Sequence, residues 1–401
     1  MRDALLAEIQ PAMQAYAAQH GIPGCATLLA QHGRIVHCAQ AGWQDAAHTI
    51  PLAPDTIYRI YSMTKPVVCA AILMLCEIGD IGLDDPVSKY LPAFARSQVL
   101  VQRGVGTRSE ALARPILIRD LLTHTVGLTY DFLEDNPAAA LYREARLMGD
   151  AGRTLTQLVN ELARLPLAYQ PGERWHYSLA IDVIAHVIEI VSGWPLEDYL
   201  AERLFRPLGM GDTGFSVASA SRPRLAEMTG CPDVAVSTLG EILAAQEAGD
   251  YRVRDVEASY PAARRASFAR GGHGLFSTVG DYFRFAQMLL NEGEFEGARV
   301  LSKQTVQTMR SNQLAAPMLP FAIGPVPYSG YGFGLAGRVR MDAAACAFPG
   351  GEGEFGWEGA ARTSFWVDPE NAVVGVLMMQ HMVGRDWPER EFRAWAYRTL
   401  P

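Results

Sequence analysis

Between Pro66 and Ile78 the chain is apolar almost all round: Val67, Val68, Ala70, Ala71, Ile72, Leu73 and Leu75 leave no polar face for water. A helix of this composition belongs at the centre of a domain, covered on every side. Pro66 fits such a helix only in the first turn, where its missing backbone N–H is no loss. The pattern therefore predicts a helix start beside Ser62, with Gly79 as its stop. The rest of the fold has to be arranged around this element.

What surrounds it changes character twice. An opening helix is expected from Leu5, Leu6, Ile9, Met13 and Tyr16, which recur at helical spacing. Two short apolar runs, Cys25–Gln31 and Arg34–Ala41, joined at His32-Gly33, read as a β-hairpin, and a short strand around Thr56–Ile60 leads into Ser62. From about residue 86 to 295 the pattern is mainly helical, with candidates at Leu155–Arg164, Leu179–Val191, Pro195–Leu204 and Val279–Asn291. In the tail, Gly332–Arg340, Phe355–Val367 and Val373–His381 read as strands, with a turn at Asp368-Pro369-Glu370-Asn371, before a closing helix at Pro388–Arg398. The expected fold is mixed α/β (α+β). One central antiparallel sheet, drawn from both chain ends (1–85 and 296–401) and flanked by helices, would carry an inserted mainly helical domain (86–295).

Composition narrows the class of ligand. A net charge of −8 and a pI near 5.6, with no Lys/Arg block, argue against a nucleic-acid partner. The nine histidines form no HExxH-like pattern and the six cysteines no CxxC pairs, so no metal and no cofactor are expected. Asp3 and Glu8 interrupt the first helix, unlike a secretory leader, and no apolar run is long enough to span a membrane. These features predict a cytoplasmic protein with reduced thiols and no membrane partner.

The chemical signal is Ser62-Met63-Thr64-Lys65. Residues at i and i+3 share a helix face, so Lys65 can reach the Ser62 hydroxyl and, when neutral, take its proton. Burial and the positive end of the helix both favour the neutral amine. The chain holds only three lysines, Lys65, Lys89 and Lys303, and an arginine at position 65 could not act as a base. Two further stretches stand out. In Pro171-Gly172-Glu173-Arg174-Trp175-His176-Tyr177-Ser178, a turn leads to Tyr177 near a helix N-terminus. That phenol would either relay a proton at Ser62 or pack as most tyrosines do. In Phe355-Gly356-Trp357-Glu358-Gly359-Ala360, glycines bracket a tryptophan. This is either a strand edge offering an N–H to an oxyanion or a simple bulge.

Taken in order, these motifs resemble the serine β-lactamase and penicillin-binding-protein superfamily, whose pattern is Ser-x-x-Lys, Tyr-x-Asn and a Lys-Thr-Gly-like triad. Leu121–Leu128 (LLTHTVGL), Gly271–Thr278 (GGHGLFST) and Asp281–Ala286 (DYFRFA) add to the likeness. Leu179 stands in place of the asparagine, and Trp357-Glu358-Gly359 in place of Lys-Thr-Gly. Both departures are similar to family VIII carboxylesterases. The α/β-hydrolase pentapeptide Gly-x-Ser-x-Gly is absent.

The resemblance implies a β-lactamase-like fold with Ser62 as nucleophile and Lys65 and Tyr177 sharing the role of base. It implies an oxyanion hole from the backbone N–H groups of Ser62 and Ala360, and a substrate pocket with Trp357 as its wall and Gly359 beside it. Tyr130 and Asp182 would join the hydrogen-bond network around the lysine, although Asp182 could equally be a helix-surface acid. The expected activity is hydrolysis of small, short-acyl carboxylic esters, with weak or incidental β-lactam turnover. The alternatives are a β-lactamase, a D-amino-acid peptidase, an acyltransferase, or a non-catalytic scaffold. The expected partner is a small-molecule ester, and oligomeric state is open.

Overall fold

The computed structural model describes residues 2–103, 106–265, 268–383 and 388–400. Helix α1 (Arg2–Gln19) precedes the expected hairpin of β1 (Gly24–Gln31) and β2 (Arg34–Gly42). His32 and Gly33 turn it, both at positive φ, which matches the twist of the paired strands. The segment before Ser62 forms a strand only at Tyr58–Arg59 and pairs with Phe276–Ser277 instead of joining the hairpin. Helix α2 (Thr64–Glu77) is the apolar element, buried from Thr64 to Leu73, and Gly79 follows it at positive φ. The middle of the chain supplies α3 (Ala180–Ser192) and α4 (Val279–Leu290), each within a residue or so of its expected bounds.

Two of the expected tail strands are each a hairpin. Gly332–Arg340 divides into β3 (Tyr331–Phe333) and β4 (Arg338–Arg340), because the chain reverses at Gly334–Gly337 with Ala336 at positive φ. Phe355–Val367 divides into β5 (Phe355–Gly359) and β6 (Thr363–Asp368), turning where Arg362 adopts positive φ. Strand β7 (Val373–Met378) and helix α5 (Pro388–Arg398) complete the chain. Asp368 closes the β6–β7 turn by accepting hydrogen bonds from the backbone and side chain of Asn371.

The result is a seven-stranded antiparallel sheet of order β3-β4-β5-β6-β7-β1-β2. Alternation along the strands assigns each face its cover. Cys25 and Leu29 of β1 pack with Ile9 and Met13 of α1 and Phe392 of α5. Ala26, Leu28 and Ala30 point into the main core, which also holds α2, α3 and α4. Covering on both faces explains why β1 and β7 read as unbroken apolar runs. A polar hairpin at Gln98–Arg103 and Gly106–Ala111 was not expected, since an exposed strand of Thr, Arg, Ser and Glu carries no apolar alternation to read. Among the described residues no helix is long and apolar enough to cross a membrane.

Candidate active site

Ser62 lies on a short 3-10 turn, Tyr61–Met63, that runs directly into α2. Tyr61 is held at a φ of 43°, an uncommon conformation for a bulky residue. The turn is pinned from several sides. Ile60 N–H donates to Leu275 O, Tyr282 hydroxyl to Met63 O, and Leu275 N–H to Thr64 Oγ1. Thr363 of β6 donates its hydroxyl to Ile60 O. Gly359 is what lets the sheet come this close: a Cβ there would stand 2.4 Å from Ile60 O.

Lys65 Nζ stands 2.9 Å from Ser62 Oγ and donates to the Gly272 carbonyl at 2.7 Å. The side chain is fully buried. Burial lowers its pKa to about 7, against the opposing pull of the Asp182 carboxylate. Asp182 is not a helix-surface acid: it is completely buried, and Oδ1 accepts the Gly272 N–H at 3.2 Å. The Gly272 peptide thus links the carboxylate on one side to the lysine on the other. A Cβ on residue 272 would meet Asp182 Oδ2 at 2.6 Å and the Tyr130 hydroxyl at 3.1 Å, so only glycine allows this packing. Burial raises the Asp182 pKa, while Arg270 and Lys65 hold it down. Burial pushes the pKa values of His124 and His273 well below the usual histidine range, helped by the charge of Lys65 at His124 and of Arg270 and Lys65 at His273.

Tyr177 sits in the loop ahead of α3 and belongs to the site. Its hydroxyl is in hydrogen-bonding contact with Ser62 and accepts from Trp357 Nε1 at 3.2 Å. Burial raises its pKa, and both of these contacts act to lower it. Lys65 Nζ lies 4.6 Å from the Tyr177 ring centre and 5.4 Å from that of Tyr130. The loop is fixed by the Thr123–Tyr130 segment: His176 N–H donates to His124 O, Leu179 N–H to Thr129 O, and Ser178 Oγ meets His124 Nδ1 at 3.2 Å. Leu179, the residue that caps the N-terminus of α3, is completely buried in the core.

Trp357 and Ala360 border the same cavity as Ser62, Tyr130 and Tyr177, together with Gly359; its volume is about 260 Å³ and its lining mostly apolar. Trp357 is therefore a donor to Tyr177 as well as a wall. Its neighbour Glu358 is fully engaged, accepting from the Tyr328 hydroxyl and from Arg338 Nη1, and Arg338 is itself buried and paired with Glu389. Several contributors had no role in the sequence reading. The Gly272 carbonyl and His124 lay in stretches that look family-like but whose side chains name no chemistry. Tyr328, stacked on Trp357 with ring centres 6.0 Å apart, lies in a tail loop with no motif at all.

Asp182→Asn keeps an acceptor for Gly272 while removing the charge that favours protonated Lys65. The acid limb of the kcat/KM–pH profile is expected to move to lower pH by up to about one unit. An unmoved midpoint would show that Asp182 does not act on Lys65 electrostatically.

Comparison with known proteins bears on the family and the fold. The beta-lactamase family model matches residues 9–398. A protein of Mycobacterium tuberculosis is 34% identical over 365 residues, covering 90% of this chain and 86% of that protein. Esterase EstB of Burkholderia gladioli is 30% identical over 348 residues, covering 86% and 82%. Among solved structures, EstCE1, described as a hydrolase with promiscuous acyltransferase activity, superposes with a TM-score of 0.80 at 26% identity, covering 98% of this chain and 99% of that one. Motif order, fold and sequence converge: the chain belongs to the beta-lactamase family of serine hydrolases.

Proposed function

We propose that the chain is a serine carboxylesterase acting on uncharged esters. The observation that carries this reading is Trp357, which fills the strand position beside the nucleophile with an indole donor where a cation would recognise an anionic substrate. Glu358, next to it, is an anion bound to Arg338, and Leu179 adds no amide-binding group. The esterase EstB among the relatives supports the same substrate class.

In the proposed sequence, Ser62 Oγ attacks the ester carbonyl carbon as its proton passes to neutral Lys65. The oxyanion is held by the backbone N–H groups of Ser62 and Ala360. As the tetrahedral intermediate collapses, Tyr177 gives its proton to the departing alkoxide. The resulting phenolate is stabilised by Trp357 Nε1–H and by the nearby Lys65 ammonium. In the second half, the phenolate takes a proton from water, the hydroxide attacks the acyl carbon, and Ser62 leaves with the proton held on Lys65. Alcohol and acid are the products, and every group returns to its starting state.

The test compares p-nitrophenyl butyrate with nitrocefin on the purified protein. The butyrate is expected to turn over with the higher kcat/KM. Nitrocefin turnover well above it would instead make the chain a β-lactamase.

A further inference from the structure

The cavity is larger than a short acyl group needs. An apolar cavity of about 150 Å³ accepts a benzene ring, and this one offers about 260 Å³. It is shaped by two elements outside the sheet. One is the helix Leu239–Glu247, whose Ile242 is buried and whose Leu243 is 38% exposed. The other is the hairpin Ala322–Ile323 and Val326–Pro327, whose Val326 is 41% exposed. All three side chains, and Ile323, border the cavity that contains Ser62.

The two elements form one continuous wall. Gly324, at the hairpin turn, sits so close to Leu239 that a Cβ there would be 2.5 Å from Leu239 Cδ2. Leu239 N–H donates to Phe132 O, tying the helix to the segment that carries Tyr130. On the other flank Tyr328 stacks on Trp357 and on Phe321, with ring centres 6.0 and 4.8 Å apart. Trp357, Tyr328, Ile242, Leu243 and Val326 thus all contribute apolar surface to the one cavity that contains Ser62, the last two partly exposed to solvent. Large apolar side chains exposed singly need no explanation, but two that also line the cavity containing Ser62 continue its lining outward.

Resting on the esterase reading, we propose that the substrate carries an extended uncharged apolar arm. This arm lies along the wall made by the Leu239–Glu247 helix and the 322–327 hairpin and reaches solvent at the partly exposed Leu243 and Val326. Each methylene drawn from water onto this surface is worth about a three- to fourfold gain in kcat/KM until the arm emerges into solvent.

Two ester series test this: p-nitrophenyl esters from acetate to decanoate, which lengthen the acyl side, and alkyl acetates from ethyl to octyl, which lengthen the alcohol side. In at least one series kcat/KM is expected to rise by about three- to fourfold per methylene over several carbons. In that series, Leu243→Glu and Val326→Glu should each lower the ratio of long-chain to acetate kcat/KM by about tenfold or more, because a charge at the rim opposes the arm. Using the ratio removes any general loss of active protein. Activity that peaks at two to four carbons in both series, or rim variants that leave the ratio unchanged, would overturn the proposal and leave the esterase reading intact. Failure to hydrolyse any ester of either series would overturn both.

Discussion

Ser62→Ala is expected to abolish ester turnover, lowering kcat by about 10^5-fold or more. The acyl group has no other place to go. The covalent route depends on one oxygen, and the Tyr177 hydroxyl that contacts it is bound to Trp357 and held in its protonated form by burial. The turn that presents Ser62 is fixed by backbone bonds from Ile60 and side-chain bonds from Tyr282 and Thr64, none of which involve the serine hydroxyl. The variant should therefore fold unchanged. A fluorophosphonate probe should label the wild type and not the variant. Labelling that survives in Ser62→Ala would place the nucleophile elsewhere.

The second large effect concerns Lys65. Lys65→Arg keeps a positive charge at the start of α2 but cannot release it, so the base is lost. A drop in kcat/KM of at least about 10^3-fold is expected. The guanidinium would also need to fit a fully buried site shaped for a single ammonium between Ser62 Oγ and Gly272 O. In the wild type the same group is expected to set the pH dependence. Burial lowers its pKa to about 7, so the amine is protonated and inactive below that value and neutral above it. kcat/KM should rise with pH through about 7, falling about tenfold for each unit below. A flat profile between pH 5 and 8 would remove Lys65 from the role of base.

Some elements read clearly in the sequence because their burial is nearly uniform. Helix α2 and strands β1 and β7 are covered on all sides, so their composition alone marks them. The merged tail strands show the limit of that signal. The turn at Gly334–Gly337 and the one at Arg362 hold glycine, alanine and arginine instead of the Asn-Gly or Pro-Gly pairs that announce a reversal, and positive φ at Ala336 and Arg362 is imposed by the sheet. At the site, Ser62, Lys65 and Tyr177 were legible because their side chains have chemistry and their order is distinctive. Gly272 was not, because its contribution is a peptide group, its carbonyl facing Lys65 and its N–H facing Asp182. Asp182 changed from an ambiguous acid to a buried partner only once the path of the Gly271–Thr278 stretch was known. The apolar wall of Leu239–Glu247 and 322–327 is likewise invisible in sequence, since it is made by two segments meeting in space.

Strand β1 has β2 on one side and β7 on the other, with Ala26 opposite Met378. The turn bearing Ser62 is braced by Gly359 and Thr363 from the same distal part of the chain. During synthesis on the ribosome, the nucleophile emerges long before the strands that seat it. Until β5 to β7 arrive, β1 has one unpaired edge and α2 lacks part of its cover, a state prone to association with other chains. A nascent chain of this design therefore needs shielding until strands β5 to β7 are in place. Seating of the Ser62 turn is thus coupled to the arrival of β5 and β6, which carry Gly359 and Thr363.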